Sequence, residues 1–382
     1  MSSILTLDSG ENEYLRTFDH RLELALYIAY REARCGGKRK THDEHNFELN
    51  EYENLRNLKE ALLDRTYVPG RSRAHIIFNP VIREIFAASF RDRVVHHLVF
   101  DSVYDWWDRR FIEDSYSCRI DKGTLKGIKR LDHHIRCVSE NYAKRAWVMK
   151  ADLQGYFMSL PRRELYKAAI WGLDRQFAGR TDTEEYRLLK FLWRQIIMDD
   201  PVKGAVRVGD LKAWDQLPPT KSLFNQPPGK GIVIGNLTSQ LLSNIYLDTL
   251  DRFVKFDLGY KHYGRYVDDF FIVVTEDQLP QLKRDMKAIE AFLERKQLVL
   301  HPTKRSLQPS DHGIPFLGAV VYNGFIVPGR RVRNNMHKAC QEVMMSKRPL
   351  DSITSYDGHM AQINSYKTVK EIFERIGWDY LG

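Results

Sequence analysis

Residues 264–274 read GRYVDDFFIVV, with the acidic pair Asp268-Asp269 set inside an otherwise apolar run. Two unpaired carboxylates within a strand would be very costly to bury, so the simplest structure is a tight β-hairpin with the pair at its turn. A second apolar stretch, AWVMKADLQGYF at 146–157, also ends in acid. Strand alternation puts Trp147, Met149 and Ala151 on one face and Val148, Lys150 and Asp152 on the other, so Asp152 emerges at a strand end. A lone Asp-Asp pair is usually a solvated turn. Such a turn has no need of Tyr266-Val267 and Phe270-Phe271-Ile272-Val273-Val274 to hold it, whereas a metal site requires carboxylates fixed on stiff elements. Hard oxygen ligands from two separate strands suit two Mg²⁺ ions.

Composition fixes the setting. The 382 residues carry 59 Lys+Arg against 50 Asp+Glu, a formal net charge of +9 that favours polyanionic partners. A hydrophobic fraction of 43% with 12% aromatics excludes wholesale disorder, and the length suggests two or three structural units. No stretch approaches the ~18 uncharged apolar residues of a membrane span, and MSSILTLDSGENEYLR lacks the pattern of a signal peptide, so a soluble cytoplasmic protein is expected. Cys35, Cys118, Cys137 and Cys340 form no C-x-x-C pair and are expected to be reduced. The neighbours His96-His97 and His133-His134 point in different directions on a helix and lack nearby cysteine ligands, which argues against zinc.

Periodicity orders the rest. Leu22, Leu26, Ala29 and Ala33 predict a helix over 18–34, ending at Gly36-Gly37 before a basic KRK loop. Leu49, Tyr52, Leu55, Leu58 and Leu62 predict a second over 48–64. RSRAHIIFN and REIFAA read as a basic hairpin about the turn Asn79-Pro80, with a helix starting near Asp92. Between 172 and 230 a long loop or insertion is expected. TSQLLSNIYLDTLDRFV predicts a helix capped by Thr238 or Ser239. After Pro328 come helix-compatible segments at 332–346 and 358–377.

Tyr266-Val267-Asp268-Asp269 resembles the Y-x-D-D box of reverse transcriptases, and Asp152 followed by Phe157 resembles their first catalytic box. The resemblance continues in order over 71–325. REIFAASFRDRVVHHLV is similar to the fingers box, SYSCRIDKGTLKGIKRL to the box after it, LVLHPTKRSLQ to the lysine-bearing box, and IPFLGAVVYNG to the primer-grip hairpin. It implies an α+β right-hand polymerase. The 1–70 stretch would be a helical extension, 71–145 the fingers with part of 172–230, and 146–327 a palm of ferredoxin-like antiparallel sheet plus helices. The short helical thumb would span 328–382. Most relatives carry Q-G-x-x-x-S-P where this chain has Ile234-Gly235-Asn236-Leu237-Thr238-Ser239-Gln240. That form, with LPPTKSLF and RDRVVHH, resembles the reverse transcriptases of diversity-generating retroelements. Val81 stands where the family's P-K-x-R-E-I stretch carries a lysine, although Arg83 is present, and the retron signatures are absent.

The resemblance implies Asp152, Asp268 and Asp269 as catalytic carboxylates, with Leu153 joining them at two Mg²⁺ ions. Arg83, Phe157, Gly235 and Lys304 would meet the dNTP, with Phe157 excluding a 2′-hydroxyl. Ile234, Ser239 and Gln240 would meet the template and set fidelity. Phe316, Leu317 and Gly318 would grip the primer, and Lys122, Lys126, Lys129 and Arg130 would face RNA phosphates. Expected partners are a template-repeat RNA and its cDNA, dNTPs and a small basic helical accessory variability protein, with no membrane. The expected product is adenine-mutagenised cDNA. The alternatives are a defence-type reverse transcriptase, separable by template dependence, and a non-catalytic RNA-binding scaffold, which would have no physical need for three converging acids.

Overall fold

The structure, a computed structural model, describes residues 5, 17–35, 41–78, 81–347, 353, 356 and 362–375. The expected helix stop at Gly36-Gly37 with its KRK loop, the turn Asn79-Pro80 and part of the 358–377 segment lie outside the described residues. In chain order the helices are α1 (Phe18–Ala33), α2 (His42–Leu49), α3 (Glu51–Leu63), α4 (Phe90–Arg110), α5 (Thr124–Val138), α6 (Tyr156–Ser159), α7 (Arg162–Gln176), α8 (Glu184–Met198), α9 (Leu237–Arg252), α10 (Leu279–Arg295), α11 (Arg330–Met344) and α12 (Tyr366–Arg375). The strands are β1 (Arg73–Ile77), β2 (Arg83–Ala87), β3 (Ala146–Asp152), β4 (Val206–Arg207), β5 (Tyr263–Tyr266), β6 (Asp269–Thr275), β7 (Ser306–Pro309), β8 (Ile314–Phe316), β9 (Ala319–Tyr322) and β10 (Phe325–Pro328). This α+β chain divides into two compact units, with breaks after Phe111, Gln154 and Thr249.

The first unit takes the chain up to Phe111 and Gly155–Thr249. Thr17 caps α1, whose buried face carries Leu22, Leu26, Ala29, Tyr30 and Ala33 as the 3.6 period predicts. The expected single helix over 48–64 is instead two, broken at Asn50 (φ −128°, ψ 44°). Phe47 and Glu44 therefore turn inward on α2, leaving Leu49 67% and Tyr52 78% exposed while Leu58 and Leu62 keep their place in the core. β1 and β2 form the expected antiparallel hairpin, with Ile77 opposite Arg83, and β4 adds in parallel to β1. Ser89 caps α4, two residues before the start read from the sequence.

The stretch 172–230 is not one long loop. Thr183 caps α8, which buries Leu188, Leu189, Leu192, Trp193 and Ile197 along one side, and the chain beyond Met198 is irregular apart from β4 and three short 3-10 turns at Leu211–Gln216, Pro219–Lys221 and Leu223–Asn225. That remainder is tied down from below. Buried Glu84 on β2 accepts from Ser222 Oγ at 2.6 Å and from Leu223 N at 3.0 Å, while burial pushes its carboxyl upward. The prolines of LPPTKSLF thus lead into a segment anchored on the β1–β2 sheet. α9 begins at Leu237, so Thr238 and Ser239 lie in its first turn and do not cap it. Thr238 is buried, and its hydroxyl pairs with His96 Nδ1 at 2.8 Å.

The second unit takes Ile112–Gln154 and the chain from Leu250 onward. Its main sheet has the order β5-β6-β3-β7, antiparallel throughout. β6 is buried at five consecutive residues, Phe270 to Val274, which explains a continuous apolar run where a one-sided strand would alternate. α5 covers one face, its Ile128, Leu131 and Ile135 packing with Val148, Phe271 and Val273. A second sheet, β10-β9-β8, contributes Ile314, Phe316 and Val321 to the same core. α11 and α12 share a separate cluster of Met336, Cys340, Val369 and Ile372.

One close approach in the first unit is directly testable. A Cβ added to Gly172 on α7 would lie 2.1 Å from Trp107 Cζ2. Alanine in an open helix would stabilise by up to ~1 kcal/mol, whereas overpacking costs ~1–3 kcal/mol. Gly172→Ala is therefore expected to lower the melting temperature by several degrees, and a rise on thermal denaturation would show that the Trp107 contact gives way freely.

Candidate active site

The site in the second unit grows from strand register. β3 and β6 pair so that Asp152 stands directly opposite Asp269, and Tyr266 closes the β5–β6 hairpin against Asp269 from the other side. The turn itself is Val267-Asp268; the sequence placed both acids there, whereas Asp269 is the first residue of the strand. Leu153 N donates to Asp268 O at 3.0 Å, tying the end of β3 to the turn. His301 N donates to Asp152 O at 2.7 Å and Gln154 N to Val299 O at 2.8 Å, so Asp152 and Leu153 are fixed on both sides by main chain.

Like charges opposite one another destabilise a sheet, as Asp152 and Asp269 are here. Asp268 is pushed up to about 6, first by burial and next by the charge of Asp152. Burial also raises Asp269, with Lys150 working against the shift. Two lysines stand at the acids. Lys150 Nζ lies 3.4 Å from Asp269 Oδ2, donates to Pro315 O at 2.6 Å and sits 5.3 Å from the Phe316 ring centre. Lys304 Nζ lies 3.2 Å from Asp152 Oδ1, but its side chain is 59% exposed, so water screens that pair. The sequence reading placed Lys150 on the Asp152 face and gave it no role; the signal available was a cation within an apolar strand. The donor set is hard oxygen whose charge the two lysines offset only in part, which fits a divalent cation.

The other expected residues fall into separate groups. Phe316 is buried in the core of the second unit, and Leu317 (φ 49°) and Gly318 (φ 88°) form a two-residue turn between β8 and β9, the left-handed geometry of tight hairpins. The four basic residues do not form one face: Lys126 and Lys129 are exposed, while Lys122 pairs with Glu113 and Arg130 pairs with Asp114 at 2.7 Å. Against its burial, His134 and Arg130 hold the Asp114 carboxyl well below the usual range, and Lys255 lies 3.3 Å away.

In the first unit Phe157 and Ile234 both pack, half-buried, against the cluster of Ala74, Phe86, Met158, Leu223 and Val233. Phe86 N donates to Ile234 O at 2.9 Å, and Gly235 (φ 130°) follows so closely that a Cβ would lie 2.6 Å from Phe86 O. Glycine is thus required at 235 by the backbone of β2 itself. Arg83 is half-buried at the start of β2, Ser239 is buried and Gln240 is exposed on α9.

One reading on histidine needs correction. His133 does have a thiol beside it, Cys137 Sγ at 3.6 Å one turn on. His97 lies near acids: among the described residues, the group of three His, Cys, Asp or Glu whose ligand atoms come within 4.8 Å of one another is Glu32, His97 and Asp101, not the aspartates at the strand ends. Burial and the neighbouring Glu32 push the Asp101 carboxyl well above the usual carboxylate range. All four cysteines are free thiols.

Comparison with known proteins now bears on this arrangement. Residues 81–321 match the family described as reverse transcriptase (RNA-dependent DNA polymerase), a span that takes in all three aspartates. The chain belongs to the reverse transcriptase family. It is also similar to Protein YkfC of Escherichia coli (strain K12), at 23% identity over 300 residues, 69% of this chain and 70% of that protein. Among solved structures it is similar to telomerase from Candida albicans in complex with a fragment of telomeric RNA, at TM-score 0.47 and 12% identity, covering 82% of this chain and 57% of that one. The apo telomerase of Candida tropicalis gives TM-score 0.46 and 13% identity, over 66% of this chain and 53% of the other. The chain thus spans little more than half the length of these telomerase chains. No described helix is long and apolar enough to cross a membrane.

The crowding of the acids has a consequence for stability. The ordinary value of Asp268 is 3.8 and its folded value about 6, so ionising it costs stability, a penalty absent below pH 4 and complete well above pH 6. In EDTA, Asp268→Asn is expected to melt higher than the wild type at pH 8, with the difference closing toward pH 4. A pH-independent difference would remove burial and repulsion as its cause.

Proposed function

We propose that this reverse transcriptase copies a template-repeat RNA into adenine-mutagenised cDNA, extending a primer 3′-hydroxyl with dNTPs. The observation that carries the catalytic part is the register of β3 and β6, which delivers Asp152, Asp268 and Asp269 to one end of a single sheet. Asp152, Asp268, Asp269 and the Leu153 carbonyl would hold two Mg²⁺ ions. When bound, these ions would acidify the primer hydroxyl and stabilise the charge on departing pyrophosphate. The chain's own groups do the rest. Main-chain bonds fix Asp152 and Leu153. Lys150 holds Asp269 against the β8–β9 hairpin, where Phe316, Leu317 and Gly318 would carry the primer end. Lys304, largely exposed beside Asp152, would neutralise phosphate charge and give up a proton to pyrophosphate. Phe157 would reject ribonucleotides by collision with the 2′-hydroxyl, with Arg83 and Gly235 contributing to the dNTP site.

The retroelement part rests on Ile234-Gly235-Asn236-Leu237-Thr238-Ser239-Gln240 and its departure from the glutamine of most relatives. A glutamine amide can donate to and accept from the templating nucleotide, whereas isoleucine offers only an apolar, β-branched surface. Losing one positioning bond of about 1 kcal/mol reduces discrimination about fivefold. Ser239 and Gln240 would flank that contact. A basic chain with Lys126 and Lys129 exposed suits RNA, and a small basic helical accessory protein would help to hold it.

Asp152→Asn and Asp268→Asn are each expected to reduce primer extension at least ~10³-fold while RNA affinity stays near wild type, because each removes a charged ligand without adding bulk. Near wild-type extension by either variant in Mg²⁺ would remove the assignment. Sequencing of cDNA from a defined RNA template should reveal errors concentrated opposite adenine, and Ile234→Gln should lower them. Uniform low error at all four bases would refute the retroelement reading and leave the polymerase standing.

A further inference from the structure

Arg265 and Asp251 form an ion pair with no exposed surface on either side chain. Arg265 Nε donates to Asp251 Oδ1 at 2.7 Å and Nη2 to Oδ2 at 2.7 Å, while Tyr263 OH donates to the same Oδ1 at 2.6 Å and Nη2 reaches Ser115 Oγ at 3.2 Å. Burying two charges is expensive, and well-packed apolar residues of similar volume commonly serve stability as well or better. The guanidinium makes one more contact that an apolar residue could not: Nη1 donates to Val267 O at 2.9 Å.

Val267 is the first turn residue of the hairpin and has φ 53°. This left-handed conformation is one that glycine adopts freely and a β-branched residue resists. The carbonyl held by Arg265 belongs to the peptide that leads into Asp268, so fixing it sets the direction from which the Asp268 side chain leaves the turn. We propose that the buried Arg265–Asp251 pair is a positioning device that locks the left-handed Val267 and so aims the Asp268 carboxylate. This rests on Asp268 as a metal-holding carboxylate. Arg265 touches no reacting atom. Lysine has a single nitrogen and cannot span the Asp251 carboxylate and the Val267 carbonyl in the same fork.

Single-turnover primer extension over a Mg²⁺ titration tests the proposal, with RNA affinity and far-UV circular dichroism as measures of folding. Arg265→Lys is expected to slow extension ~30-fold at saturating dNTP, to raise the half-saturating Mg²⁺ at least ~5-fold and to leave the dNTP KM within about twofold. In a Val267→Gly background the same substitution should cost only ~3-fold, because glycine accepts the left-handed conformation without the clamp. An equal loss in both backgrounds, or a thermal shift with the Mg²⁺ response unchanged, overturns the positioning role. If Arg265→Lys does not fold, Ser115→Ala and Tyr263→Phe each trim one bond from the pair, and an unmoved Mg²⁺ response in both overturns it equally. Asp268→Asn run in parallel separates the two readings: full activity there defeats the site itself, whereas an inactive Asp268→Asn beside an unimpaired Arg265→Lys defeats only the clamp.

Discussion

Electrostatic repulsion among Asp152, Asp268 and Asp269 is the constraint around which the second unit is organised. Three acids at one end of a sheet oppose folding: burial first, and the charge of Asp152 with it, pushes Asp268 and Asp269 upward. The surroundings hold them there without neutralising them fully. β6 is buried along its length, β3 is flanked on both sides, and main-chain bonds run from Leu153 to Asp268 and from His301 to Asp152. A soft, solvated loop would let the carboxylates move apart.

The two lysines at these acids differ in kind. Lys150 projects from the same strand as Asp152, is half-buried and is shared between Asp269 and the Pro315 carbonyl. Its charge therefore acts in a poorly screened setting and links the acids to the β8–β9 hairpin. Lys304 is largely exposed and reaches Asp152 on a flexible stem. The first belongs to the scaffold of the site; the second is a solvent-screened pair on its rim.

In the first unit, packing accounts for residues whose chemistry alone would not explain them. Glu84 is buried with Ser222 and Leu223 donating to its oxygens and the charge of Arg207 nearby, which pins an irregular segment to β2. Gly235 is demanded by the approach of its backbone to Phe86, whatever ligand passes nearby. His96 is buried, driven down to about 4 by that burial, and is engaged by Thr238, so it is a neutral structural histidine.

Local pattern was enough for the strands that carry the acids, the β1–β2 hairpin, α1 and α9, because alternation and the 3.6 period are properties of neighbouring residues. It was enough, too, for a tight turn at the acidic pair, although that turn falls one residue earlier, at Val267-Asp268, and Asp269 begins the strand. It erred where local pattern was ambiguous. Asn50 splits a helix whose stripe looked continuous, and α8 was obscured by the polar, proline-rich chain that follows it. Pairing across long sequence separations belonged to the tertiary structure alone: Arg265 with Asp251 and Ser115, Lys150 with Pro315, Arg130 with Asp114, Glu84 with Ser222. Each joins a charged or polar group to a partner chosen by the meeting of distant elements, and no period in the sequence encodes such a meeting. The chain by itself therefore determined which residues could carry the chemistry, and the fold decided which groups hold them in place, because burial and charge pairing depend on what packs alongside.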